Sequence, residues 1–264
     1  MTVRQFEELV APQTWRTVDF ISDLHLSIDE PATLQAWQRY LTSTTADAVF
    51  MLGDLFEVWV GDDVLDTGGL TGFEARCAAL LAQASERFAL FFMHGNRDFL
   101  LGQAMADRCH ATMLSDPTVL EFSSADGSRW LLSHGDALCL LDTDYMRFRA
   151  QVRTDEWQQA FLAKPLAERQ AVARSIRQQS QARKASESGY ADVDTNAALH
   201  WLELARASTL IHGHTHKPAR HDLGDGRARV VLSDWHADAV PARGDVLRLS
   251  ANGLKRIDWS GGSR

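Results

Sequence analysis

An α/β domain carrying a helical insertion is the fold class predicted by this 264-residue chain, and three observations predict it. Short apolar runs end directly in polar motifs, stretches with helical apolar spacing separate the first of those runs, and one long Arg- and Gln-rich segment breaks the rhythm. Buried strands read as near-continuous apolar runs, and in α/β sheets a site collects beyond their carboxyl ends.

Taken in order, Met1 to Arg16 holds Glu7 and Glu8 and no sustained apolar core, so no secretory signal is expected there and the segment has no assigned role. Val18 to Ile21, Ala48 to Leu52 and Leu90 to Met93 are the first three expected strands; Pro31 to Leu41 and Gly72 to Arg87 have helical spacing between them. Trp130 to Leu132 and Thr209 to Ile211 repeat the pattern of an apolar run ending in a motif, and Val230 to Leu232 and Val246 to Leu249 complete a second set of strands. Residues 142–206 form the expected helical cap insertion, leaving 1–141 and 207–264 as the core. Phe148, Val152, Phe161, Leu162, Leu166, Val172 and Ile176 supply its apolar positions, and Pro165 breaks or starts a helix. Only Ala185 to Gly189 and the Gly261 to Arg264 tail read as linker-like.

The formal net charge is −8, which speaks against nonspecific nucleic-acid binding by the whole molecule. From Arg147 to Lys184, however, nine basic side chains stand against three acidic ones. A basic amphipathic lid on an acidic protein suits either anionic lipid headgroups or simple solubility. Cys77, Cys109 and Cys139 are odd in number and lack metal-type spacing, so packing in a reducing compartment is expected. No apolar run approaches the roughly 20 residues of a spanning helix.

Five islands carry the chemistry: Asp23-x-His25, Gly53-Asp54, Gly95-Asn96-Arg97-Asp98, Ser133-His134-Gly135-Asp136 and Gly213-His214-x-His216. Any one of them alone reads as a strand-end turn or a helix cap. Five in this order offer the carboxylate, imidazole and neutral oxygen ligands that hard divalent ions need to activate water. Asp23 and His25 lie two apart at a strand end, where an extended backbone turns both to one side. With His216 they are expected to hold one ion; Asn96, His134 and His214 a second; and Asp54 bridges the two. Only two of these ligands are anionic, so the pair keeps surplus positive charge for a phosphate. His212, one residue before Gly213, is open to either a structural or a ligating role.

These islands resemble the calcineurin-like metallophosphoesterase family, whose pattern is D-x-H, G-D, G-N-H-D/E, a later His, and G-H-x-H. The match runs from Val18 to His216 and implies an αββα sandwich with two divalent ions, Mn²⁺ being the expected metal. Where most members carry a His after the Asn, proposed as proton donor to the leaving group, this chain has Arg97. With a pKa above roughly 12, arginine clamps a phosphate but donates no proton near neutral pH. Such a site suits a leaving group that departs unprotonated, so cleavage of a pyrophosphate bond is expected.

Three further runs, Met93 to Leu100, His134 to Cys139 and Ile211 to Ala219, together with Asp142, Tyr145, Phe148, Arg149, Asp192-Val193-Asp194-x-Asn196 and Val230 to His236, are similar to the branch of that family acting on UDP-diacylglucosamine in lipid A synthesis. The resemblance implies release of UMP and 2,3-diacylglucosamine 1-phosphate, by metal-bound hydroxide attack at the α-phosphorus, under a helical cap that holds the acyl chains. It places the protein in the cytoplasm, peripheral on the inner face of the bacterial inner membrane; no protein partner is inferred, and the acidic balance outside the basic segment speaks against nucleic acid. By position, Asn96 and Arg97 are the catalytic residues touching the phosphates, with His214 beside them. Asp142 meets the glucosamine or nucleotide portion and Ser180 is a cap contact. Lys184 stands in for a cap Lys that is missing at its usual place, and Glu187 has no assigned role. Two other readings keep fewer of these features: a two-metal phosphodiesterase or pyrophosphatase acting on other nucleotides, and a non-catalytic metal-binding interaction module, which the complete ligand set disfavours.

Overall fold

The computed structural model describes residues 6–123, 128–186 and 191–259, with only the backbone described for 70, 128 and 179–186. Its strands are β1 (Glu7–Val10), β2 (Thr17–Ile21), β3 (Ala48–Leu52), β4 (Ala89–Met93), β5 (Ala111–Leu114), β6 (Thr118–Phe122), β7 (Ser128–Leu132), β8 (Thr209–His212), β9 (Ala219–Gly224), β10 (Arg227–Val231), β11 (Val246–Ser250) and β12 (Gly253–Ile257). The helices are α1 (Pro31–Ser43), α2 (Phe73–Ser85), α3 (Gln103–Cys109), α4 (Thr143–Val152), α5 (Asp155–Leu162), α6 (Leu166–Ser186) and α7 (Thr195–Ala205).

Two six-stranded sheets result, in the orders β1-β6-β7-β8-β10-β9 and β12-β11-β2-β3-β4-β5. In the second, β2, β3, β4 and β5 run parallel, and β11 pairs antiparallel with β2. Strand alternation sorts their residues onto two faces. Val18, Phe20, Ala48, Phe50, Leu52, Phe91 and Met93 face the first sheet and share one apolar cluster with its Leu120, Phe122, Leu132, Ile211 and Val230. Their neighbours Ile21, Val49, Met51, Leu90 and Phe92 face outward onto Trp37, Tyr40, Cys77, Ala78 and Leu81 of α1 and α2. The register Phe20↔Phe50↔Phe91 builds an aromatic ladder through the middle, with Phe50 and Phe91 stacked at 4.6 Å. On the far side α7 packs Ala198, Leu202 and Ala205 against Val119, Leu131 and Leu210. The layers are therefore helices, sheet, sheet, helix, the αββα sandwich that the family resemblance implied.

Local sequence accounts for the elements that frame the site. Pro31 begins α1, where its missing N–H costs nothing, and Thr33, Ala36, Trp37, Tyr40 and Leu41 are buried at helical spacing. Pro165 precedes α6. Every residue of β3 is buried, as its unbroken apolar run requires. The N-terminal segment left without a role supplies β1, which extends the first sheet by pairing parallel with β6. Glu8 there meets Arg129 at 2.8 Å. All three cysteines are free and buried.

Residues 142–206 contain α4, α5, α6 and α7. Val152 and Phe161 are buried, and Trp157, Leu166, Val172 and Ala173 pack on the outer cluster of the second sheet. Arg169, itself buried, ties α6 to the core through Asp63 and the carbonyl of Val60. Leu162 and Ile176 stay exposed. By contrast α7 belongs to the outer layer of the first sheet. Among the described residues no helix is long and apolar enough to cross a membrane.

Candidate metal centre

Each island begins where a strand stops. Asp23 and His25 follow β2, Asp54 follows β3, Asn96 follows β4, His134 follows β7 and His214 follows β8, so the carboxyl ends of both sheets empty into one place. The loops are laced together by backbone bonds: Asp23 N–H donates to Gly53 O, His25 N–H to Asp54 O, Gly213 N–H to His134 O and Trp235 N–H to Asp23 O, each at 3.0 Å.

The expectation that an extended backbone aligns Asp23 with His25 is corrected by the structure. β2 ends at Ile21, and both residues have positive φ, 54° and 48°. Asp54, His214 and His216 share this left-handed conformation at 53°, 64° and 53°. Non-glycine residues there cost on the order of 1–3 kcal/mol each and persist only where surrounding bonds hold them. Tight turns, rather than strand geometry, aim these side chains inward. Glycine enters where backbone and ligand nearly touch: a Cβ on Gly95 would lie 2.1 Å from Asp54 Oδ1, and one on Gly53 would lie 2.5 Å from His134 Nδ1.

All seven expected ligands converge. His25 Nε2 lies 3.3 Å from His216 Nε2, and Asp23 Oδ1 lies 3.2 Å from His216 Nε2 and 4.0 Å from His25 Nε2. Asn96 Oδ1 lies 3.1 Å from His134 Nε2 and 2.9 Å from His214 Nδ1. Between these two sets stands Asp54, with Oδ2 3.9 Å from His25 Nε2 and Oδ1 3.8 Å from His134 Nε2. Facing atoms at 3.8–4.0 Å are too far apart for hydrogen bonds and close enough to share a cation. Asp23 Oδ1 is moreover buried with no hydrogen-bond partner, while Oδ2 accepts from Ser22 Oγ and the His214 N–H. Asp23, His25 and His216 form one group of donor atoms within 4.8 Å of one another, and Asp23, Asp54 and His134 another. A divalent cation fits both.

Protonation reflects this crowding. Burial alone would raise the Asp23 carboxyl, but the imidazoles of His216, His134 and His25 hold it far below the usual range. Burial pushes the other way on His134, yet Asp54, Asp23 and Asp136 lift its imidazole to about 9. Burial and the neighbouring His134 depress His214 to about 3.

Arg97, 16% exposed, does not pair with Asp98; its Nη1 faces Glu57 Oε1 at 3.7 Å. The Asp98 carboxylate is occupied by backbone, accepting N–H bonds from Gly95, Asp54, Leu55 and Phe56. Burial and the charge of Asp54 raise its carboxyl to about 6. Asp142 caps α4, its exposed side chain accepting the Tyr145 N–H at 3.1 Å. The side chains of Ser180 and Lys184, and Glu187 altogether, fall outside the described residues. His212 is buried away from the ligands, its Nδ1 2.9 Å from Gly213 O and its Nε2 facing Arg229 at 3.4 Å.

Several side chains around the site received no role from the sequence. Asp136 is fully buried and gathers Tyr145 Oη and Arg149 Nε, while Arg153, 4.0 Å away, donates to Gly95 O. The spacing of Tyr145, Arg149 and Arg153 by four, one face of α4 carried into the residue that ends it, was the available signal. Glu57 carries His25 Nδ1 at 2.8 Å. Nothing distinguished it in sequence from any loop carboxylate.

Comparison with known proteins shows the family to which the chain belongs. The model of the family described as calcineurin-like phosphoesterase matches residues 16–218. The chain is 44% identical over 249 residues to the UDP-2,3-diacylglucosamine hydrolase of Chromobacterium violaceum, covering 91% of this chain and 98% of that one. It is 44% identical to the enzyme of that name from Cellvibrio japonicus, with the same coverage, and 46% identical to that of Aeromonas hydrophila over 82% of this chain and 89% of the relative.

Proposed function

This chain belongs to the calcineurin-like phosphoesterase family, among the UDP-2,3-diacylglucosamine hydrolases, and from that membership we propose that it hydrolyses the pyrophosphate bond of UDP-2,3-diacylglucosamine to UMP and 2,3-diacylglucosamine 1-phosphate in lipid A synthesis. The observation that carries the reading is the convergence of seven candidate ligand side chains, with Asp54 facing His25 from one set and His134 from the other, and an arginine beside them where a proton donor would otherwise stand.

In this reading Asp23, His25 and His216 hold one divalent ion, Asn96, His134 and His214 the other, and Asp54 lies between. Mn²⁺ is the metal we assign. Such a pair activates water and screens the phosphate oxygens. The protein's own contribution is positional. Asp98 fixes the Gly95 and Asp54 loops through four backbone N–H bonds, so Asn96 and Asp54 need no reorganisation when substrate arrives. Arg97 lies at the rim and binds the phosphates as a permanent cation. It cannot protonate a leaving group, and a sugar 1-phosphate leaving from the α-phosphorus needs no proton.

We place the cap in α4 to α6 and assign the acyl chains to its apolar side, near the exposed Leu162 and Ile176. Asp142, Ser180, Lys184 and His214 are the further substrate contacts in this reading. The basic stretch from Arg147 to Lys184 supports peripheral contact with the cytoplasmic face of the inner membrane.

Purified protein mixed with Mn²⁺ and UDP-2,3-diacylglucosamine should release UMP, and in ¹⁸O water the label should enter UMP. Label in the sugar phosphate contradicts attack at the α-phosphorus; absence of UMP with intact substrate removes the activity altogether.

A further inference from the structure

We propose that Glu57 is a positioning residue of the metal centre, orienting His25 through one carboxylate oxygen and holding Arg97 and the α6 residue Arg177 through the other. Glu57 lies three residues beyond Asp54, on a loop pinned to the first island by its N–H bond to Leu26 O at 3.1 Å and by the Leu26–Phe56 bridge. Its Oε2 lies 2.8 Å from His25 Nδ1, the nitrogen turned away from the ligand cluster. Its Oε1 lies 3.7 Å from Arg97 Nη1 and 2.9 Å from Arg177 Nε. The Glu57 side chain is 13% exposed, and His25 and Arg97 are similarly covered, so those two contacts are made largely out of water, whereas Arg177, 41% exposed, meets Glu57 from the solvent side.

A carboxylate behind a ligating imidazole selects the tautomer with hydrogen on Nδ1, leaves the Nε2 lone pair toward the metal and raises its basicity. Here that carboxylate is shared with the guanidinium we assign to the phosphate and with one from the cap. Without it, two guanidiniums would face a site built for two dications with no intervening negative charge. Arg97 would then lose the partner that keeps it at the rim.

The inference rests on the metal assignment above, and Mn²⁺ titration separates the two. In calorimetry wild-type protein should take up Mn²⁺, and failure to do so counts against the assignment rather than against Glu57. Glu57→Ala should weaken Mn²⁺ binding by about 10- to 100-fold, the usual effect of removing such a partner. Glu57→Gln keeps an acceptor for Nδ1–H and should recover part of that loss, which a merely structural role would not do. For the second oxygen, turnover of a double Glu57→Ala/Arg97→Ala variant should fall by clearly less than the product of the single effects, because both changes disable one unit. A folded Glu57→Ala protein with wild-type Mn²⁺ affinity overturns the role toward His25, and multiplicative losses in the double variant overturn the role toward Arg97. Should Glu57→Ala fail to fold, the near-isosteric Glu57→Gln carries the test: Mn²⁺ affinity equal to wild type then sinks the proposal.

Discussion

The ring of Tyr145, on α4, lies 5.9 Å from the imidazole of His214 with the planes 29° apart, while its hydroxyl donates to the buried Asp136. Helix α4 is thus fastened both to a candidate ligand and to the turn behind His134. Tyr145→Phe keeps the ring contact and removes the hydrogen bond, leaving Asp136 to Arg149. We expect a stability loss of about 1–3 kcal/mol in urea unfolding, with Mn²⁺ content unchanged. Unaltered stability would show that the hydroxyl anchors nothing.

Gly95→Ala should disrupt the centre while changing no ligand. The added methyl would sit 2.1 Å from Asp54 Oδ1 and 2.4 Å from the Asp54 backbone nitrogen, neither of which can move without opening the Asp98 hub. A stability loss of about 1–3 kcal/mol is expected. Mn²⁺ affinity should fall with it, and calorimetry at wild-type strength would mean that the loop yields elsewhere.

Arg97→Ala should depress turnover by about 100-fold or more, on the scale of removing one preorganised charge contact. Metal content measured by elemental analysis should stay near normal, since Arg97 contributes only its backbone N–H, to Asp54 Oδ1 at 2.8 Å. A metal-free variant would instead assign Arg97 to the architecture of the centre.

His212 gives a pH test outside the ligand set. Burial, then the positive charge of Arg229, lowers its imidazole from 6.5 to about 4. The folded state therefore holds it neutral while the unfolded state protonates below pH 6.5. Its contribution is present in full above that pH and is lost as pH falls toward 4, at up to about 1.4 kcal/mol per pH unit. Urea unfolding of wild type and His212→Gln across this window should show a shallower pH slope for the variant; parallel slopes would place the titration elsewhere.

The sandwich was readable where strands are buried on both faces. The runs Val18 to Ile21, Ala48 to Leu52 and Leu90 to Met93 announce themselves because no position on them meets water. Edge strands gave no such signal: Glu7–Val10 has exposed residues at both ends, two half-buried ones between them and no buried position, and its membership in a sheet is decided by β6 alongside it. The packing of Thr195–Ala205 was hidden for a related reason. Its helical spacing looks the same whether the apolar face meets a helix or a sheet, and the cluster with Leu131 and Leu210 shows that it meets the sheet.

Sequence alone determined the family and the candidate ligands, because residue type and place at strand ends are both written in linear order. The three-dimensional fold decided the support. Left-handed turns, rather than an extended strand end, turn Asp23 and His25 into the centre. Asp98 spends its carboxylate on backbone N–H groups instead of on Arg97, and Glu57 stands behind His25. Such pairings depend on which loops meet in space, and contacts between groups far apart along the chain leave no periodicity to read.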